Sequence, residues 1–165
     1  LHIFKRLLSE GSFFSLNNFM IRELIPNSDD LLHKKIDKCS YNLDRDFLKK
    51  TLIDNMHYHK GVGLSANQIG INERVFVMIR DLEYNEVITC FNPRIVKQSS
   101  KKCVMEEGCL SYPDLFLKIS RPKKIVVKYE DVDKKIHKLK LDGLSARIFL
   151  HEYDHMEGIT YRQLI

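Results

Sequence analysis

The sequence predicts an α+β fold in a single compact domain, and three observations in chain order carry that prediction. A helical apolar spacing occupies residues 42–60, β-branched segments separated by turn residues run from Arg74 to Asp142, and a second helical stretch follows. Helix, then strands, then helix, with no repeat or linker, is the order of a segregated α+β domain rather than of an alternating parallel sheet.

The opening LHIFKRLLSEGSFFSLNNF sets Lys5 and Arg6 beside an apolar stretch that Ser9, Glu10, Gly11 and Ser12 interrupt. A secretory signal needs an unbroken apolar core of about 7–15 residues, so this segment does not read as one. Residues 1–19 are expected to be an upstream extension or a disordered leader, with organelle targeting left open, ahead of a domain over residues 20–165. Asn27, Ser28, Asp29 and Asp30 are capping side chains ahead of LLHKKI, which predicts a short helix or turn.

Within residues 42–60, Leu48, Leu52 and Met56 recur at a four-residue spacing that places them on one helical face, with Phe47 alongside. Asp44 or Asn42 suits the start of this helix and Gly61 its end. The segments RVFVMIRD, EVITCFN, RIVKQSSKKCVM, KKIVVKYED and KKIHKLKLD are the expected strands, punctuated by Asn, Asp and Pro. The last two, joined around Val132 and Asp133, predict a hairpin, while Tyr112, Pro113 and Asp114 predict a turn. Asp142 is expected to cap a helix over residues 143–157, and Gly158 to stop it in the left-handed conformation.

Composition narrows the class. With 44% hydrophobic and 30% charged residues the chain reads as globular. No apolar run approaches the roughly 18–20 residues that span a bilayer, so no membrane association is expected. The net charge of +5 is concentrated around residues 97–102, 118–128 and 134–140. That pattern fits a solvated lysine-rich surface or a weak attraction to RNA or a ribosome surface. No arginine-rich helix or aromatic RNA-binding signature accompanies it, so no specific nucleic-acid partner is expected. Cys39, Cys90, Cys103 and Cys109 form no CxxC pair and are too sparse for a disulfide scaffold, which fits reduced thiols in an intracellular protein.

His151, Glu152, Tyr153, Asp154 and His155 form HExxH. Two histidines four apart on a helix project from one face, so both imidazoles can reach one ion, and Glu152 stands close enough to serve water there. Five polar residues on an exposed helix would be the bland alternative. The apolar residues Leu144, Ile148, Phe149 and Leu150 upstream argue instead for a buried helix, whose imidazoles need partners.

A catalytic metal usually takes three protein ligands. Too few residues follow His155 to return a third, and Tyr161 stands where the compact HExxHxxGxxH variant has its last histidine. The third ligand is therefore expected upstream. Cys109, in Glu106-Glu107-Gly108-Cys109-Leu110-Ser111, is the stronger option and Cys103 the rival, whereas Cys39 and Cys90 read as small buried hydrophobes.

GVGLSANQ (residues 61–68), EGCLS (107–111) and HEYDH (151–155) resemble, in order and separation, the three signature motifs of the peptide deformylase family, a likeness that covers residues 20–165. The resemblance implies a compact α+β metallohydrolase, with antiparallel β-sheets around a central HExxH metal-binding helix. It would act on a linear amide, removing the N-formyl group from N-formylmethionyl nascent peptides and releasing formate. By position, Cys109, His151 and His155 correspond to the metal ligands and Glu152 to the general base that serves the attacking water. Gln68 and the backbone N–H of Leu110 correspond to the oxyanion donors, although Gln68 also reads as a structural amide tying down the Gly-rich segment. One divalent ion is implied, Fe²⁺ in cells, with Zn²⁺, Ni²⁺ or Co²⁺ as alternatives.

Val62, Gly63, Leu64, Gly108 and Leu144 are the expected substrate contacts, with Ile148 beside them. Glu107 and Asp154 either orient the histidines or pair with Arg121 or Arg147. The sequence departs from the family pattern at Ser65, where many members have Ala and little change is expected, and at Leu150, where bacterial members usually have Gln. The sequence also stops soon after the HExxH segment, so a short form resembling the phage-encoded ones, without the C-terminal extension of typical bacterial members, is expected. The implied setting is cytoplasmic, bacterial or within an infected host cell, with transient ribosome proximity at most. An HExxH metallopeptidase cleaving internal peptide bonds and an inactive binding module are the competing readings.

Overall fold

Chain order sets out the elements of the computed structural model, which describes residues 20–165. Helix α1 (Arg45–Tyr58) precedes strands β1 (Gly63–Ser65), β2 (Val75–Asp81), β3 (Glu86–Gln98), β4 (Lys102–Cys109), β5 (Tyr112–Pro122), β6 (Lys124–Glu130) and β7 (Ile136–Asp142), and helix α2 (Gly143–Met156) follows. Five strands form an antiparallel sheet in the order β1-β2-β3-β6-β7, and β4 pairs with β5 in a separate antiparallel ribbon. The leader expected over residues 1–19 lies outside the described residues. No helix among the described residues is long and apolar enough to cross a membrane.

The unbroken apolar run of β2 explains the layering. Successive side chains of a strand point to opposite faces. Phe76 and Met78 pack with Ile148 and Phe149 of α2, whereas Val75, Val77 and Ile79 pack with Leu48, Leu52 and Met56 of α1. The Phe76 and Phe149 rings meet edge to face at 5.1 Å. A helix therefore covers each face of β2, and a strand buried on both faces shows no polar alternation. Phe47 does not join this packing and is 53% exposed. It sits one residue, or about 100°, round the helix from Leu48 and so falls off the apolar stripe.

Capping follows the sequence in part. The Asp44 carboxylate accepts the Phe47 N–H at 2.9 Å and starts α1. Lys60, not Gly61, takes the left-handed conformation that ends it (φ 58°). Gly61 is required for a different reason, since a Cβ there would lie 2.9 Å from Leu110 Cδ1 and 2.8 Å from the Gly63 carbonyl. Asp142 occupies the cap position of α2 but makes no side-chain cap bond, and its carboxylate pairs with Lys124 at 3.1 Å. Gly158 stops that helix as expected (φ 71°). The short turn predicted after residue 27 is a 3-10 turn over Asp30–Leu32, capped by Asp29.

The strands differ from expectation in four respects, the first being β1, which lies outside the expected segments. β3 runs straight through Asn92 and Pro93, absorbing them as irregularities in its register with β6, so EVITCFN and the start of RIVKQSSKKCVM are one strand. That second segment then breaks at residues 99–101, and its end belongs to β4. The turn expected at Tyr112, Pro113 and Asp114 instead opens β5, with Cys109 opposite Tyr112. The predicted β6–β7 hairpin forms, its turn pinned by the Asp131 carboxylate accepting from the Asp133 and Lys135 N–H groups.

Candidate metal centre

Helix α2 lies against the sheet and meets the end of β4. One ligand atom each from Cys109, His151 and His155 lie within 4.8 Å of one another. Cys109 Sγ is 3.3 Å from His155 Nε2, and the two imidazole rings stand edge to face at 5.2 Å. The register of β4 on β5 shifts between Gly108 and Cys109. Such an irregularity re-aims a side chain at the end of a ribbon. Cys103, the rival third ligand, lies apart from this group, its Sγ 3.5 Å from Arg147 Nη2. Tyr161 stacks obliquely near His151 but donates its hydroxyl to the Leu115 carbonyl.

A buried ionic cluster supports the histidines. His151 Nδ1 lies 2.9 Å from Glu107 Oε2, a contact that leaves Nε2 as the ring's lone-pair donor. The same carboxylate accepts from Arg121 Nε at 2.6 Å and from Arg147 Nη1 at 2.7 Å. Glu107 thus both orients a histidine and pairs with the two arginines, roles the sequence posed as alternatives. Asp154 takes the second, its carboxylate accepting from Arg121 Nη1 at 2.6 Å. Leu150 is packed in the core beside Phe149.

This donor set fits a divalent cation. Burial opposes ionisation of the Cys109 thiol, yet the adjacent His155 and His151 imidazoles hold it well below the usual thiol range. His151 is shifted upward despite its burial, through Cys109 and Glu107. A pre-ionised thiolate facing two imidazoles is what borderline divalent metals bind. By contrast, burial pushes Cys39 up to about 11 and Cys90 well above the ordinary value. In chelated protein near neutral pH, iodoacetamide is therefore expected to alkylate Cys109 before Cys39 and Cys90, and added Zn²⁺ to protect it. Peptide mass mapping reads the order, and equal labelling of the three would contradict it.

A cavity of about 300 Å³ opens beside this group. Of the expected contacts, Val62, Gly63 and Gly108 line it together with Gln68, Leu110 and Glu152. Leu64 and Leu144 are not among its lining residues: Leu64 is wholly buried with the α1 side chains, and Leu144 packs on the opposite core. Their place is taken by Tyr112, Leu115 and Phe116 of β5, a strand that the turn signals of its first residues concealed. Ile148 does line the cavity.

Glu152 is 4% exposed, and burial pushes its carboxyl upward against the pull of the two histidines. Its Oε2 accepts the Ser65 hydroxyl at 2.7 Å. Gln68 is buried with its Oε1 accepting the Ser65 N–H at 2.9 Å and its Nε2 donating to Ser111 Oγ at 3.0 Å, 3.6 Å from Cys109 Sγ. The structural role anticipated for this amide is therefore present, at a position where its N–H group also borders the Cys109 sulfur.

A family model described as polypeptide deformylase matches residues 21–165. A peptide deformylase of Thermotoga sp. (strain RQ2) is 43% identical over 69% of this chain and 70% of its own length. One from Natranaerobius thermophilus is 37% identical over 86% of this chain and 90% of its own. The crystal structure of peptide deformylase from Thermotoga maritima superposes with a TM-score of 0.81 at 34% identity, covering 88% of this chain and 97% of that one. A Met-Ala-Ser-bound class I type b peptide deformylase from Acinetobacter baumannii gives 0.82 at 28% identity, covering 90% and 100%.

Proposed function

The chain belongs to the polypeptide deformylase family, and from that premise we propose how its own residues carry the reaction. It is a metal-dependent hydrolase that removes the formyl group from N-formylated nascent peptides. Residues 20–165 are the catalytic domain. One observation carries the assignment of roles: a cysteine sulfur and two imidazoles converge within 4.8 Å beside a buried carboxylate at a cavity.

Cys109, His151 and His155 would hold the cation, Fe²⁺ in cells, with Zn²⁺, Ni²⁺ and Co²⁺ able to replace it. A divalent ion there supplies Lewis acidity, bringing the pKa of water down toward about 7. Glu152 takes the proton from water as it attacks the formyl carbon and delivers it to the leaving amine nitrogen. The upward push that burial gives its carboxyl favours this two-way duty. Gln68 Nε2 and the Leu110 N–H receive the charge that develops on the formyl oxygen. Glu107 keeps His151 in the ligating orientation.

The formylmethionyl peptide lies along Val62 and Gly63. β1 is an edge strand of its sheet, and an extended peptide can add to such an edge. The Met-Ala-Ser bound by the Acinetobacter baumannii relative supports a substrate of that length. The cytoplasm and transient proximity to the ribosome are the matching setting.

Release of formate from formyl-Met-Ala-Ser by anaerobically prepared Fe²⁺ or Ni²⁺ enzyme tests this reading. Chelation is expected to stop turnover and readdition of the ion to restore it, whereas Cys109→Ala should retain neither ion nor activity. A loaded enzyme that left the formyl group in place and cut internal bonds of casein would favour the metallopeptidase reading.

A further inference from the structure

The carboxylate of Glu152 rests on one face of a three-residue strand. Gly63 and Ser65 are two apart on β1 and so look to the same side. A Cβ on Gly63 would fall 2.5 Å from Glu152 Oε1 and 2.9 Å from its Cγ and Cδ, so the carboxylate occupies the space a side chain would fill. Ser65 is wholly buried and donates its hydroxyl to Glu152 Oε2 at 2.7 Å, while the Glu152 carbonyl lies farther, at 3.2 Å. The shorter bond, to a charged acceptor, is the stronger of the two. On its backbone side the same residue donates its N–H to Gln68 Oε1 at 2.9 Å.

We propose that Ser65 is a positioning residue for deformylation, holding the Glu152 carboxylate through its hydroxyl and the Gln68 amide through its backbone N–H. Base and oxyanion donor are thereby kept in one fixed relation by a single rigid point of β1. A glutamate side chain has three rotatable bonds. Anchoring Oε2, while Oε1 and the side-chain stem lie over Gly63, leaves the carboxylate little freedom to turn beside the cavity that both residues line. The sequence reading expected little of serine here because alanine has nearly the same size. The hydroxyl, not the volume, makes the difference, and a relative with alanine keeps only the backbone half of the arrangement. The inference rests on Glu152 acting as the base.

Ser65→Ala, Glu152→Gln and the double variant, each loaded with the same ion, test it. Formate release gives kcat and KM, elemental analysis the ion content, and thermal unfolding the stability. Ser65→Ala is expected to lower kcat about tenfold, the effect of a lost hydrogen bond to a charged group, with KM, ion content and melting temperature near parental. In the Glu152→Gln background the same change should alter kcat less than about twofold, because the carboxylate through which it acts is gone. A kcat for Ser65→Ala within about twofold of the parent, an equal tenfold loss in both backgrounds, or loss of the ion would each overturn the proposal and leave the base assignment standing. Parental kcat in Glu152→Gln would instead overturn the base assignment.

Discussion

Glu152→Ala is expected to keep its metal ion and to lose about 10²–10⁴-fold in formate release, the usual contribution of a general acid–base group. The ligand atoms explain the first half. As proposed, they come from Cys109, His151 and His155, and His151 is held by Glu107, so truncating Glu152 would remove none of the ion's supports. The second half follows from position, since the Glu152 carboxylate borders the cavity beside those ligands, whereas that of Glu107 is taken up by His151, Arg121 and Arg147. Ser65 would lose the carboxylate it donates to and keep the Glu152 carbonyl at 3.2 Å, a local loss. Ion content measured alongside single-turnover rates decides the matter. A variant holding a full complement of ion with a rate within a few-fold of the parent would show that the proton is carried by another group.

The second large effect is expected at Glu107. Its carboxylate is 4% exposed and serves His151, Arg121 and Arg147 together. In Glu107→Gln, Arg121 keeps Asp154, but Arg147 is left with uncharged acceptors, the Ile119 and Cys103 carbonyl oxygens among them, for its buried charge. Breaking a buried ion pair from one side typically costs about 3–5 kcal/mol of stability. Loss of the group that orients His151 should in addition weaken ion binding about 10–100-fold.

The pH dependence has a definite sign. Burial would raise the Glu107 carboxyl, but bonds from His151 and Arg121 outweigh it and hold the group well below the usual carboxylate range. A depressed folded-state pKa contributes stability that is complete above the unfolded value, near pH 4, and is lost as pH falls through the folded one. Urea unfolding of metal-free protein should therefore show the gap between parent and variant at its full size at pH 7 and shrinking below about pH 4. A gap that widened on acidification, or a variant binding Zn²⁺ as tightly as the parent, would refute the role assigned to this residue.

Much of the site could be read from short-range pattern. HExxH on an apolar helix sets two imidazoles and a carboxylate on adjoining positions whatever the surroundings. The α1 stripe of Leu48, Leu52 and Met56, the Asp44 cap, the Gly158 stop and the β6–β7 hairpin likewise depend on neighbours within a few residues. The errors have a common cause as well. Asn92, Pro93 and the Tyr112-Pro113-Asp114 group carry turn chemistry, yet strand pairing overrides it and keeps them in β3 and β5. Leu64 and Leu144 have the right character for a pocket wall, but β1 and the first turn of α2 face them into the cores.

The sequence by itself determined the helix that carries the paired histidines, the α+β order of elements and the three motifs that mark the family. Tertiary structure alone decided how closely Cys109 meets those histidines, that Glu107 joins one of them to two arginines, and that Ser65 bonds to the Glu152 carboxylate. The division is physical: spacing along a helix is set by its own backbone geometry. Contacts between residues far apart in the chain depend instead on a register shift at the end of β4 and on which face of β1 meets α2.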